Sequence, residues 1–300
     1  VKKPDAASYK GQDKLNAIMA QKTRRKPTAI PGGGGGGAWM DLGAKGKVEA
    51  GLAFGTERTI TGTSIFDPVL CELAYRWFCP PGGLILDPFA GGSVRGIVAS
   101  CLGRPYIGVE LRPEQVAANI AQIAIATGPK PDWRVGDSQQ IATICDGVEA
   151  DFLFTCPPYG DLEVYSDDPA DISTMAPDDF DAAYALIISA ACKLLKRDRF
   201  ACVVIGDYRD AKGFFRNLPG KTIDAFIAAG LKLYNDAILV TAVGSLPVRA
   251  GRQFEAGRKL GNTHQRVLVF VKGDPKKATG AIGPVEFGEI EEGPEITSPA

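Results

Sequence analysis

The sequence predicts an α/β protein with a mostly parallel central sheet and helices on both of its faces, and three observations carry that expectation. Short apolar runs alternate with segments of helical spacing between residues 82 and 273. Several of those runs are continuously apolar, as strands buried on both faces are. Glycine or proline stands at most of the changeovers, where a chain must turn or stop a helix. The 300 residues, 45% of them hydrophobic, suffice for one large core.

In chain order, GGLILDPF (82–89) is a buried strand ending in Asp-Pro, and SVRGIVASCLG (93–103) has helical spacing with a glycine stop. PYIGVE (105–110) is the next strand. RPEQVAANIAQIAIATG (112–128) is the next helix, with Pro113 suited to a first turn. Further strands are expected in DWRVGDS (132–138), ADFLFTCPPY (150–159), FACVVIGDY (200–208), LKLYNDAILVTAV (231–243) and QRVLVFVKG (265–273). Helices are expected over about 178–196 and 220–229. No internal repeat interrupts this order.

The flanks read differently. Residues 1–60 form a basic arm that includes the linker PGGGGGG at 31–37, either a solvated tail or an arm that touches phosphates. Residues 61–275 carry the strand–helix alternation, and 276–300 read as an acidic, disordered tail. A net charge of −1 and a pI near 6.0 exclude a globally basic nucleic-acid binder, so any such surface must be local. The seven cysteines have no CxxC spacing and sit mostly in apolar runs, which predicts reduced thiols, no metal site and a cytoplasmic protein. No apolar run is long enough to span a bilayer, so no membrane partner is expected.

In a sheet of this kind ligands sit beyond the carboxyl ends of the strands. Those ends read DPFAGG, GVE, GDS, TCPPY and GDYR. Asp87, Pro88 and Phe89 lead into Gly91 and Gly92, a turn where backbone approaches a ligand closely ahead of a helix N-terminus. Glu110 ends the second strand, where a carboxylate accepts from both hydroxyls of a ribose, and Asp137 ends the third, where one can hold an adenine amine. Each acid alone is also a good turn former or helix cap. At three successive strand ends they point to a nucleoside-bearing cofactor, and the spacing of a dinucleotide dehydrogenase is missing. Cys156-Pro157-Pro158-Tyr159 then forms a stiff elbow, since two prolines fix two φ angles and remove two donors.

The pair DPFAGG and CPPY resembles the hallmark turns of the amino-group DNA methyltransferases, the N4-cytosine and N6-adenine enzymes. GTSIFDPVLCELAYRWFCPPGG (62–83) looks like their cofactor-side segment, and NTHQRVLVFVKG (262–273) is similar to their closing strand. The resemblance covers about residues 60–273 and implies a Rossmann-like methyltransferase fold, S-adenosylmethionine as cofactor and DNA as partner. It places Ser64, Phe66, Asp87, Pro88, Phe89 and Gly91 along the cofactor, Glu110 on its ribose and Asp137 on its adenine. The chain departs from the pattern at Ser93, where the family has a second glycine, at Arg95, and at Cys156, where it has Ser, Asp or Asn.

On that resemblance the elbow implies methyl transfer to an exocyclic base amine. The Pro157 carbonyl and the residue-156 side chain would accept the amine protons, and Tyr159 would stack a base flipped out of the duplex. A thiol is a weak acceptor, so other readings stand beside this one. One is covalent addition of Cys156 to a pyrimidine that is then methylated at C5, although the enzymes that do so have proline before the cysteine. Another is that Cys156 only fills a small apolar site. Its size favours cytosine N4 slightly over adenine N6. An RNA base methyltransferase and a non-catalytic binding protein on the same fold are the remaining alternatives. Arg249, Arg252, Arg258 and Lys259, with Glu255 the one acid among them, could track phosphates. Asp161, Glu163 and Tyr165 follow the elbow, Asp207 and Arg209 end the fifth strand, and the lone His264 reads as structural.

Overall fold

The computed structural model describes residues 66–285 apart from Glu163 and residues 242–245, and apart from the side chains of Asp161 and residues 246–249. Ser64, the arm with its glycine linker and the acidic segment from residue 286 lie outside the described residues.

Local chemistry sets the start of the first helix. Helix α1 (Pro68–Phe78) begins where the Asp67 side chain accepts from the Val69 and Leu70 amides, with Pro68 in the first turn. It buries Cys71, Ala74 and Tyr75. Then follow β1 (Ile85–Asp87), α2 (Val94–Cys101), β2 (Tyr106–Glu110), α3 (Pro113–Ala121), β3 (Asp132–Val135), a short α4 (Ile141–Ile144) and β4 (Ala150–Thr155). The 18-residue α5 (Pro177–Leu194) leads directly into β5 (Leu195–Ile205), and α6 (Leu218–Ala228) into β6 (Lys232–Val240). The chain closes with α7 (Leu246–Gly257), β7 (His264–Lys272) and α8 (Pro275–Ile282).

The seven strands form one sheet in the order β3-β2-β1-β4-β5-β7-β6. The first five are mutually parallel, while β7 runs antiparallel to both β5 and β6. This is the expected α/β, Rossmann-like architecture with a mostly parallel sheet. Each face carries its own core. One is built on Leu86, Leu153, Phe226 and Phe270 with α5 and α6, the other on Ile85, Phe152, Phe154 and Tyr75 with α1. No helix among the described residues is long and apolar enough to cross a membrane.

One expected boundary moves. The tail expected from residue 276 starts later, because Asp274 caps α8 through the Lys276 and Lys277 amides and Ala278 and Ile282 are buried. The basic stretch before β7 contains helix α7. The strand expected over 231–243 is present as β6, at the edge of the sheet and exposed along almost all of its length.

At the amino-terminal edge of the sheet Asp151 ties β4 to β5. Its carboxylate accepts from Lys196 Nζ at 3.0 Å, Arg199 Nε at 3.0 Å and the Leu84 amide at 3.2 Å. Burial works to raise its pKa, but these donors outweigh burial and hold it below the usual carboxylate value. A depressed pKa stabilises the fold above the unfolded-chain value, and that contribution is lost as pH falls through the folded one. Asp151→Asn is therefore expected to lower the melting temperature at neutral pH and to flatten its fall below about pH 4. Thermal denaturation across pH checks both.

Candidate active site

The strand order reverses between β1 and β4, so the loops after these two strands leave in opposite directions and open a crevice. The DPFAGG turn follows one strand and the CPPY elbow follows the other, on the same edge of the sheet. Glu110 and Asp137 extend that edge on one side and Asp207 on the other.

Asp87, expected beside a cofactor, has its carboxylate enclosed by donors of the protein itself. It is 0% exposed, and its oxygens accept from Arg95 Nε (2.6 Å), Tyr106 Oη (2.8 Å), Thr155 Oγ1 (2.7 Å) and the Phe89 amide (3.1 Å). Its carboxylate faces inward and organises the turn. Arg95, the residue that departs from the family pattern, is 5% exposed and also donates to the Phe89 carbonyl and, at 3.0 Å, to the Ala90 carbonyl. Its guanidinium lies 4.8 Å from the Phe66 ring centroid, and Phe66 meets Phe154 edge-on. Burial pushes the Tyr106 phenol well above its ordinary value, so it stays a donor to Asp87.

The turn itself faces open space. Gly91 has φ +50°, and a Cβ at Gly92 would meet no atom within 4 Å. Asn119 Nδ2 donates to the Gly91 carbonyl at 2.8 Å, Ser93 Oγ to Gln122 at 2.7 Å, and Ser138 Oγ to the Pro88 carbonyl. Phe89 stacks on Tyr184 with centroids 6.0 Å apart. Glu110 reaches back to this turn, accepting from the Gly91 amide at 2.9 Å and from the Arg112 amide at 3.2 Å. Burial raises its pKa, with the Arg112 and Gly91 donors opposing. Asp137 caps a short turn over Ser138–Gln140 by accepting from the Gln139 amide at 2.8 Å and from its side chain at 3.2 Å.

On the far side of the crevice Cys156 and Tyr159 are half-buried and Pro157 is buried. Gln265 on β7 donates to Tyr159 Oη at 2.6 Å, and Cys156 Sγ lies 3.6 Å from the same oxygen. With Gln265 donating to Oη, the phenol proton is available to the sulfur. Burial, then the neighbouring Cys156, raise the Tyr159 pKa well above its usual value, so this proton is retained at neutral pH. A Cβ at Gly206 would stand 3.4 Å from Tyr159 Cε2, so that side of the ring is closed. Gly160 has φ +57°, and a Cβ there would fall 1.9 Å from Tyr208 Oη. Gly160→Ala is expected to cost about 1–3 kcal/mol more than its conformational penalty alone. Gly147→Ala, at φ +73° with nothing within 4 Å, supplies that penalty, and urea denaturation compares the two.

Beyond the elbow Tyr165 lies with its ring 5.9 Å from the Arg112 guanidinium, so this loop meets the Glu110 side of the crevice. Arg252 and Lys259 line a separate surface cavity of about 320 Å³ at the end of α7, and the Arg249 side chain lies outside the described residues. His264 is exposed at the start of β7. A larger concavity, about 930 Å³ among Arg197, Lys232, Lys272 and Lys276, lies at the opposite edge, where β5 and β6 begin, away from every strand-end acid. No cluster of metal-ligating residues occurs among the described residues.

Sequence reasoning missed Tyr106, Thr155, Asn119, Ser138 and Gln265 as parts of this site. Thr155 adjoins Cys156 and was the easiest to suspect, because a hydroxyl ending a buried strand needs a partner.

A strand order that reverses at a glycine turn and a double-proline elbow defines an α/β protein of the Rossmann-like type. Residues 69–122 match the family model described as DNA methylase, N6_N4_Mtase. A 47-residue stretch is 38% identical to the DNA adenine methyltransferase YhdJ of Escherichia coli K12, and this match spans 16% of that protein and 16% of this chain. The segment matched by the family model includes nearly all of α1, DPFAGG and Glu110 but ends before CPPY. Among solved structures, TrmN from Thermus thermophilus is similar at TM-score 0.47 and 17% identity, over 71% of this chain and 51% of that one. Magnesium protoporphyrin IX methyltransferase from Synechocystis PCC 6803 is similar at TM-score 0.43 and 12% identity, over 91% and 100%.

Proposed function

We propose that this protein is an S-adenosylmethionine-dependent methyltransferase that modifies an exocyclic amine of a DNA base, cytosine N4 slightly favoured over adenine N6. The observation that carries the reading is the placement of CPPY across the switch point from an open glycine turn.

The cofactor fits the turn side of the crevice. The open face at Gly92 leaves room for close approach, Glu110 offers acceptors for ribose hydroxyls, and Asp137 stands one strand further on for the adenine amine. Asp87 acts at one remove, by fixing the turn with Arg95, Tyr106 and Thr155. When bound, S-adenosylmethionine supplies an electrophilic methyl group. The chain's own residues orient the nucleophile. A base amine is a poor nucleophile because its lone pair is delocalised into the ring, so acceptors that draw its protons toward a tetrahedral arrangement favour attack. The Pro157 carbonyl and Cys156 Sγ are those acceptors, and the two prolines keep them from moving.

Tyr159 provides the stacking surface for a base flipped from the duplex, contributing about 1–3 kcal/mol. Gln265 sets the direction of its hydroxyl and, through it, the lone pairs that Cys156 leaves for the amine. Cys156→Ser is accordingly expected to keep or increase methyl transfer, because an oxygen accepts better than sulfur. Transfer of labelled methyl to DNA, compared between the two proteins, tests it; loss of transfer in the serine variant would favour covalent C5 chemistry.

A further inference from the structure

The segment between β5 and α6 is a rigid hairpin that rises beside the elbow. Arg209 pairs antiparallel with Phe215, Asp210 N donates to the Phe214 carbonyl at 2.9 Å, and Arg216 N to the Tyr208 carbonyl at 2.9 Å. Asp210 closes the tip twice, its carbonyl accepting from Gly213 N and its carboxylate from Phe214 N, each at 2.9 Å. Gly213 has φ +94°, a conformation that favours glycine. At the root, Asp207 accepts from the Tyr208 amide at 2.9 Å and the Leu218 amide at 3.2 Å. The Tyr208 hydroxyl abuts Gly160, and Gly206 abuts the Tyr159 ring. The hairpin is therefore anchored on the CPPY elbow.

Its outer surface is not what a solvated turn needs. Phe214 is 69% exposed and Phe215 46%. The Arg209 guanidinium lies 3.8 Å from the Phe215 ring centroid, held there by a 2.8 Å bond to the Gly213 carbonyl. A second aromatic–cation pair stands at the end of α7, where Arg258 lies 4.9 Å from the ring centroid of Phe254. The hairpin tip meets the end of α7, because a Cβ at Gly213 would sit 2.7 Å from Lys259 Cε. An apolar protein surface would match the rings but strand the cations without partners. A polyanion with flat, stackable faces matches both.

We propose that this hairpin and the end of α7 form a stacking clamp for the nucleotides that flank the target base. Phe214 stacks a base, while Arg209, Arg258 and Lys259 hold the adjoining phosphates. The proposal rests on the reading of the site as a DNA methyltransferase and extends it to a surface outside the crevice.

The test is binding of a fluorescein-labelled DNA duplex of mixed sequence to the wild-type protein and to Phe214→Ala, Phe214→Leu and Phe214→Trp. Cofactor affinity and melting temperature are measured on the same samples. Alanine and leucine are expected to weaken duplex binding about fivefold or more, while tryptophan preserves it, with cofactor affinity unchanged. A leucine variant that binds like wild type overturns the stacking role, since leucine keeps apolar area but has no ring face. If duplex binding is unchanged in every variant but wild-type self-association is lost with the ring, the surface is a protein interface and the proposal falls alone. If the wild type neither binds the duplex nor methylates it, the methyltransferase reading fails and the clamp falls with it.

Discussion

Arg95→Met is expected to destabilise the fold by about 3–5 kcal/mol, because it leaves the Asp87 carboxylate charged and buried with its ion-pair partner gone. The pair is almost fully enclosed, with side-chain exposures of 6% and 0%. Solvent therefore does little to offset the loss. The same change removes the donors that hold the Phe89 and Ala90 carbonyls, so the glycine turn loses its shape and cofactor affinity falls with stability. Arg95→Lys keeps a charge but not the planar fork that reaches Asp87 and both carbonyls at once, and its effect is expected to be intermediate. Adding Asp87→Asn to Arg95→Met removes the uncompensated charge and is expected to restore part of the loss. Urea denaturation measures all three. An Arg95→Met midpoint equal to wild type would show that the turn does not depend on this pair.

Tyr159→Ala is expected to lower the methyl-transfer rate by about 10²-fold or more while leaving cofactor affinity nearly unchanged. Stacking alone supplies about 1–3 kcal/mol, and misplacement of the acceptors by about 1 Å costs a further large factor. The ring also fills space against Gly206, and its hydroxyl joins Cys156 to Gln265. Tyr159→Phe separates these roles. It keeps the ring and removes the hydroxyl, so it is expected to retain base stacking but leave the Gln265 amide and the sulfur without their shared partner. Single-turnover transfer alongside calorimetric cofactor binding distinguishes the two variants. Full activity in Tyr159→Ala would remove the elbow from the reaction.

The strands and the site's location were legible because the signal was local. The central parallel strands β1, β2 and β4 are short, mainly apolar runs, and the acid or turn that stops each also marks the carboxyl edge of the sheet. What the acids do at that edge was less legible, because their partners are distant in sequence. Asp87 is satisfied by residues 8, 19 and 68 positions away, a set that only the sheet register assembles. Arg95 read as a departure from a family pattern, and its buried position turns that departure into the tie that holds the turn. Helix α8 was hidden by the acidic residues that follow it, although Asp274-Pro275 is a good helix start. The aromatic hairpin was hidden because Phe214-Phe215 suggests burial in sequence, and only the fold exposes it.

The most direct measurement is to incubate the protein with methyl-labelled S-adenosylmethionine and, in parallel, duplex DNA and RNA, digest each nucleic acid, and identify the labelled nucleoside by mass spectrometry. The account predicts label in DNA as N4-methylcytosine or N6-methyladenine. Label in 5-methylcytosine, label confined to RNA, or no label in either polymer would contradict it.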